Sequence, residues 1–189
     1  MNQSDLPERH VSSAGASGVA FERMREVTAI VGLRARAPLK ILTPKNHGDT
    51  RWAFLSTYGG GLVDGDEISL EVRVGRGARA VVGTQASTKV YRCPRGRAAQ
   101  RLDADVGEDA LLVVAPDALT PFADSRYEQR ATLRLARGAS LAWADVLACG
   151  RAACGERWAF ARYASRTRVL REGVRVADDS LALDRADRD

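Results

Sequence analysis

Polar and apolar residues alternate most clearly in ISLEVRV, where Ile68, Leu70, Val72 and Val74 fall on one face and Ser69, Glu71 and Arg73 on the other. A period of two is the mark of a half-buried strand. The same local design recurs twice. LEVRVGRGARAVV (70–82) aligns with LDADVGEDALLVV (102–114) and with ATLRLARGASLAW (131–143), so that Ala78, Ala110 and Ala139 correspond at steps of 32 and 29 residues. These steps lie in the range of stacked repeats. Each copy reads as a tight-turned hairpin, turning through Gly75, Gly107 or Ala-Arg-Gly (136–138), because glycine permits the positive φ of such turns. The expectation is a mainly β protein of stacked antiparallel hairpins, or solenoid-like layered sheets, with one or two short helices. FADSRYEQ (122–129), with Asp124 as its cap, is the candidate helical turn.

If the copies stack, the segments that follow them share one side of the molecule. Those segments are TQASTKVYR (84–92), PDALTPF (116–122) and DVLACGR (145–151). The stacking predicts that Lys89, Phe122 and Arg151 approach one another. TQASTKVYR is the most unusual of the three, being too polar for a core strand and too poor in Gly, Pro, Asn and Asp for an ordinary solvent loop.

Residues 1–20 carry Ser, Gly and Ala without apolar period and read as a disordered leader. Residues 21–189 then form one domain, a length that buries a sizeable core. With 45% hydrophobic and 28% charged residues the composition is that of a globular protein. No run reaches the roughly 18 apolar residues of a membrane span, and no signal peptide is evident, so the expected location is cytoplasmic. The three cysteines, Cys93, Cys149 and Cys154, lack a CxxC pair and read as free thiols. The net charge of +5 comes from 29 basic residues, only three of them lysine, interspersed with 24 acidic ones. That describes a mixed-charge surface better than a nucleic-acid face.

Candidate chemistry is sparse. YGGGLVDGD (58–66) lacks the Gly-Lys-Ser/Thr ending of a phosphate loop and precedes a strand, so its glycines suggest close backbone packing followed by a turn. CGRAACGE (149–156) lacks the paired ligands of a zinc site, and Glu156, ahead of the alternating WAFARY, reads as the ion-pair partner of Arg151 at a strand entrance. His10 lies in the leader, and His47 has no triad partners. No catalytic set emerges, which points to a binding or scaffold role. An alternative class, a carbohydrate-binding β-solenoid, would need an aromatic platform, whereas Trp52, Trp143 and Trp158 are scattered.

In chain order, PLKIL with its following proline (38–44), GGGLVDGD, TQASTKVYR, PDALTPFADSRYEQ and GRAACGERWAF resemble the urease accessory protein UreD family, also called UreH, over about Ala37 to Tyr163. The resemblance implies a non-enzymatic chaperone, largely β, that works in the cytoplasm with UreF and the GTPase UreG, docks on apo-urease and helps deliver nickel. It implies no tightly bound cofactor, no nucleic acid and no membrane. A transiting ion needs weak, exchangeable oxygen ligands, which nominates Asp66, Thr84, Ser87, Asp145 and Glu156 for a metal path. Gln85, Lys89, Tyr91, Arg92, Phe122 and Arg151 are nominated for its wall or for partner contact. The chain departs from the family pattern at Cys93 and Cys154, and it closes in DRADRD where family members continue with further strands.

Overall fold

The computed structural model describes residues 15–45 and 48–185, so His10 and His47 lie outside the described residues. Fifteen strands dominate among these: β1 (Ser17–Met24), β2 (Val27–Arg34), β3 (Leu39–Leu42), β4 (Arg51–Thr57), β5 (Gly61–Leu62), β6 (Glu67–Val74), β7 (Arg79–Thr84), β8 (Lys89–Val90), β9 (Ala98–Val106), β10 (Leu111–Ala115), β11 (Thr120–Pro121), β12 (Arg126–Leu135), β13 (Ser140–Trp143), β14 (Arg162–Arg171) and β15 (Val174–Asp184). The helical elements are two single 3-10 turns, Tyr58–Gly60 and Ala152–Cys154. The mainly β, solenoid-like expectation is borne out.

The strands form three sheets, ordered β15-β14-β12-β9-β6-β1-β2, β13-β10-β7-β4-β3 and β11-β8-β5. The chain winds through them in rungs. A long strand in the first sheet is followed by one in the second and by a two-residue strand in the third, before the next rung begins. Rungs pair in parallel, and the register is that of the sequence repeat: Leu70 lies beside Leu102, and Leu102 beside Ala131. On the second sheet Val82 lies beside Val114, which lies beside Trp143. A further rung continues the stack, with Ala131 beside Thr167 of β14.

Each copy is therefore an arch between two sheets. This corrects the hairpin reading, because β6 pairs with β1 and β9 while β7 pairs with β4 and β10. The turn makes the arch. Ala78, Ala110 and Ala139 each donate their backbone N–H to the carbonyl three residues earlier, at Gly75, Gly107 and Ala136, over 3.0, 3.2 and 3.1 Å. Positive φ falls on the third turn residue, Gly77 (63°), Asp109 (54°) and Gly138 (70°), a position where Asp is also tolerated. Gly107 serves a different need: a Cβ there would come within 2.9 Å of Arg76 N on the rung below. Bonds such as Gly107 N–H to Val74 O (2.7 Å) and Ala136 N–H to Val106 O (2.9 Å) carry the ladder through the arches.

The core lies between the first two sheets. Ile68, Leu70, Val72 and Val74 are buried as the alternation requires, with Ala80, Val82, Ala104, Val106, Leu112, Val114, Leu133 and Leu135. Each fully buried large aliphatic side chain contributes about 1.5–3 kcal/mol.

Three local expectations are corrected. Residues 17–20, read as leader, belong to β1, where Ser17 and Val19 are buried; residues 1–14 lie outside the described residues. FADSRYEQ is a turn at Asp124 (φ 57°) leading into β12, because Tyr127, Gln129 and Ala131 share an inward face at strand spacing. WAFARY joins its strand only at Arg162, after Trp158 with φ 57°.

Candidate functional site

The glycine-rich segment after β4 sets the approach of the third sheet. A Cβ on Gly61 would lie 2.7 Å from the Lys89 carbonyl oxygen and 2.7 Å from the Tyr91 ring. Glycine is thus required for β5 to sit beside β8, as the sequence suggested. The following carboxylates hold turns. Asp64 accepts the N–H groups of Arg95 (2.9 Å) and Gly96 (2.8 Å), and Asp66 accepts that of Val63 (2.8 Å).

The three connectors do share one side, through β5, β8, β11 and a bridge between Leu119 and Leu147. Their side chains form a column: the Tyr91 and Phe122 rings meet edge-on at 5.2 Å, and the Arg151 guanidinium lies 4.2 Å over Phe122. Phe122 and Arg151 meet as predicted, while Tyr91 completes the column; Lys89 is exposed and lies beside Thr120 in the strand register. Arg151 Nε is 2.9 Å from Glu156, whose carboxylate also accepts the Ala123 N–H at 3.1 Å. The Arg151 hydrogen bond holds the Glu156 carboxyl below its usual range, against a smaller opposing effect of desolvation. Arg92 faces Asp124 at 3.7 Å, and Gln85 is exposed.

At the open edge between the stack and the connectors lies a second, different grouping, in which Ser87, Asp117 and Asp145 are exposed and Thr84, Gln100 and Gln129 half-buried. A cavity of about 150 Å³ runs between the two large sheets and the connectors. Its polar wall includes Thr84, Ser87, Asp117, Gln100, Gln129 and Asp145, and its apolar wall includes Leu55, Leu70, Leu102, Val114 and Trp143. Such a volume holds several waters. Of the five residues nominated for a metal path, Thr84, Ser87 and Asp145 line this cavity; Asp66 and Glu156 do not. Thr84 Oγ1 donates to Asp117 Oδ2 (3.0 Å) and accepts the Asp117 N–H (2.7 Å), joining the first two connectors across rungs.

Asp145 is the hub. Its Oδ2 accepts from Gln129 Nε2 and Ser165 Oγ, both at 2.8 Å, and lies 3.5 Å from the Tyr163 hydroxyl. Gln129 continues the network, because the Tyr127 hydroxyl is 2.5 Å from Gln100 Oε1 and 3.1 Å from Gln129 Oε1. Gln100, Gln129 and Ser165 are register partners on consecutive rungs, one inward polar group per rung. Beneath them Tyr127 and Tyr163 stack at 5.9 Å, and both are buried. Burial pushes the Tyr163 hydroxyl up to about 12, with the Asp145 charge adding to the effect, and burial raises the Tyr127 hydroxyl well above its ordinary value. Both stay neutral and able to donate at physiological pH.

Gln100, Gln129, Tyr127, Tyr163, Ser165 and Asp117 went unnoticed in the sequence. The alternation Ala98, Gln100, Leu102, Ala104, Val106 places a glutamine on an apolar face, and Tyr127, Gln129, Ala131 repeats it one rung later. A polar residue interrupting an inward column was the available signal. Cys93, buried, donates its Sγ–H toward the Tyr91 carbonyl at 3.3 Å, while Cys149 is half-buried and Cys154 exposed; all three are free thiols. Among the described residues, no three His, Cys, Asp or Glu side chains converge to hold a metal ion, and no helix is long and apolar enough to cross a membrane.

The profile of the family described as UreD urease accessory protein matches residues 13–189. A urease accessory protein UreD of Sorangium cellulosum (strain So ce56) is 52% identical over 178 residues, covering 94% of this chain and 57% of that protein. Urease accessory protein D of Oryza sativa subsp. japonica is 37% identical over 185 residues, 95% of this chain and 60% of its own length. A UreD of Haloarcula marismortui is 35% identical over 192 residues, 97% of this chain and 64% of that protein. The chain thus spans 57% to 64% of the length of these curated relatives.

Proposed function

This chain belongs to the UreD urease accessory protein family, and from that premise we propose that it acts as a non-catalytic chaperone in urease maturation. In this reading it assembles with UreF and, through UreF, with the GTPase UreG. The complex docks on apo-urease in the cytoplasm and helps insert nickel. The observation that carries the urease role is the family match along nearly the whole chain. Nickel is the cargo, and the cavity around Asp145 supports a passage for it. The lining supplies two carboxylates, Asp117 and Asp145, with hydroxyl and amide oxygens, hard donors that hold a divalent ion weakly enough to release it.

Thr84, Ser87 and Asp145 are the residues assigned to this path, with Gln100 and Gln129 as additional oxygen donors. Asp66 and Glu156 are engaged with a turn and with Arg151, and are assigned to holding the connectors in place. The column of Tyr91, Phe122 and Arg151, with Gln85, Lys89 and Arg92 beside it, forms the outer wall that a partner would meet.

The test is co-expression of this chain with UreF, UreG and apo-urease, followed by co-purification, nickel analysis and urease assay. Nickel-loaded, active urease should depend on this chain. Asp145→Ala should lower the nickel content of urease while leaving the complex assembled. Full activation by the Asp145→Ala protein would remove that residue from the path, and failure of the wild-type chain to co-purify with UreF would remove the assigned complex.

A further inference from the structure

The outer face of the seven-stranded sheet carries a charge pattern that neither the cavity nor the connector column uses. Along β9, β12 and β14 the parallel register sets like residues side by side. Arg101, Arg130 and Arg166 are direct partners on consecutive strands. Arg126 partners Arg162, and Arg97 stands in line with them, one residue before the Ala98–Tyr127 pair. Between these two arginine columns runs a column of Ala99, Glu128, Ala164 and Ala182. The result is a trough with a floor of small residues, two arginine walls and one carboxylate at its centre.

Parallel strands lie about 4.8 Å apart, and like charges directly opposite are destabilising. The face offsets only part of this cost internally. Glu128 serves both walls, at 2.9 Å from Arg97 and 2.5 Å from Arg130. Arg101 turns to Asp103, Arg162 to Asp184 and Arg166 to Asp178, at 2.5, 2.5 and 2.8 Å. The Arg126 guanidinium has no ion-pair partner among the described residues. In these pairs the arginine side chains are 46% to 72% accessible and the carboxylates 12% to 35%, so the guanidinium groups are the part open to a partner. A groove of about 590 Å³ lies along the wall of Arg101, Arg130 and Arg166, and a second of about 300 Å³ beside Arg97, Arg126 and Arg162.

We infer that this trough is a docking site for an acidic helical segment of a partner protein. Charge complementarity selects the sign: the six arginines stand against four carboxylates, Glu128, Asp103, Asp178 and Asp184, with Glu128 shared by two walls and Arg126 in none of these pairs. The dimensions select the shape. Walls four residues apart along a strand are about 13 Å apart, which matches the roughly 10–12 Å diameter of a helix with its side chains. Three strand spacings, from β9 to β15, give about 14 Å of length, or about nine residues of helix. Glu128 asks for a cation in the middle of the acidic face, which a peptide can supply and a regular polyphosphate backbone cannot. Among the described residues the aromatic side chain nearest the trough, Tyr127, is buried and offers no face on which a nucleobase could stack. Guanidinium groups in register offer paired donors to successive carboxylates.

Fluorescence anisotropy of the purified chain tests this with two probes. One is a fluorescein-labelled 18-residue alanine-based helix with glutamates flanking a single lysine on one face; the other is an 18-nucleotide single-stranded oligodeoxynucleotide. The peptide should bind saturably and weaken as salt rises. Arg126→Glu/Arg130→Glu/Arg166→Glu should reduce its affinity at least tenfold, and the neutral triple Gln variant should fall between. Arg137→Glu, at an arch away from the trough, should leave affinity unchanged. Far-UV circular dichroism reports folding, and the Gln variant carries the comparison should the triple Glu protein unfold. Absent peptide binding, binding indifferent to the triple substitution, or tighter binding of the oligonucleotide would overturn the proposal.

Discussion

The network that runs from the buried Tyr127 to the exposed Asp145 and the connector column around Phe122 are built from the same rung-to-rung stacking, yet they use it differently. In the network, register sets Gln100, Gln129 and Ser165 one above another, so the buried Ser165 and Tyr127 hydroxyls find partners in the exposed Asp145 and the half-buried glutamines. On the connector side it stacks Tyr91, Phe122 and Arg151 where solvent screens the charges. A polar side chain in a stacked-strand protein is thus worth what its face makes it worth. Removing the buried Tyr127 leaves its glutamine partners short of a donor, whereas removing a member of the outer column returns its partner to water.

The sharpest way to break this comparison is Tyr127→Ala, which deletes a buried ring stacked on Tyr163 and the hydroxyl that joins the two glutamines. Urea denaturation should show a loss of about 3–5 kcal/mol. Gly61→Ala should follow, at about 1–3 kcal/mol, because its methyl group has no room beneath Lys89 and Tyr91. It is the one connector position expected to rival the interior, since it acts through packing. Tyr127→Phe keeps the ring and removes only the hydroxyl, and should cost about 1–3 kcal/mol by the same measurement. A cost matching that of Tyr127→Ala would mean that the polar network, not the ring, carries the energy.

Titration separates the regions further. Tyr163 has a folded-state value raised to about 12 from 10.0, so its contribution is complete below pH 10 and declines as pH rises toward 12. Tyr163→Phe should therefore lessen the loss of thermal stability over that range. The smallest effect is expected from Glu156→Gln. The Glu156 carboxyl is lowered from 4.5, so its stabilisation is present above that pH and is lost as pH falls through the lower folded value. The melting temperatures of wild type and Glu156→Gln should differ modestly at pH 7 and converge in acid; a difference that persists there would assign the effect to packing.

How far the sequence led can be seen at particular residues. The correspondence of Leu70, Leu102 and Ala131 is the observed register, because a parallel ladder places residue types in columns and a period of two keeps them on one face. The rung at β14 escaped notice, since its step from Ala131 to Thr167 is longer and its sequence RTRVLR looks solvent-facing. The arches were read as hairpins because a turn sequence specifies a local bend, while the sheet each arm joins depends on partners tens of residues away. Of the candidate site, Thr84, Ser87 and Asp145 were legible as polar residues in distinctive motifs, and Phe122 with Arg151 as a contact. Their sorting into an inner and an outer set was not.

The strand-rich class, the repeat and its register, the close packing at Gly61 and the family are all written in the amino-acid order, because they rest on local periodicity, backbone sterics or residue identity. That each repeat is an arch, that Asp145 gathers donors from β12 and β14, that Tyr91 takes the place expected of Lys89, and that arginines align into a trough emerge from the folded arrangement. Each of these depends on which strand lies beside which and on which way a side chain faces across rungs, and those are set by long-range pairing that no local segment encodes.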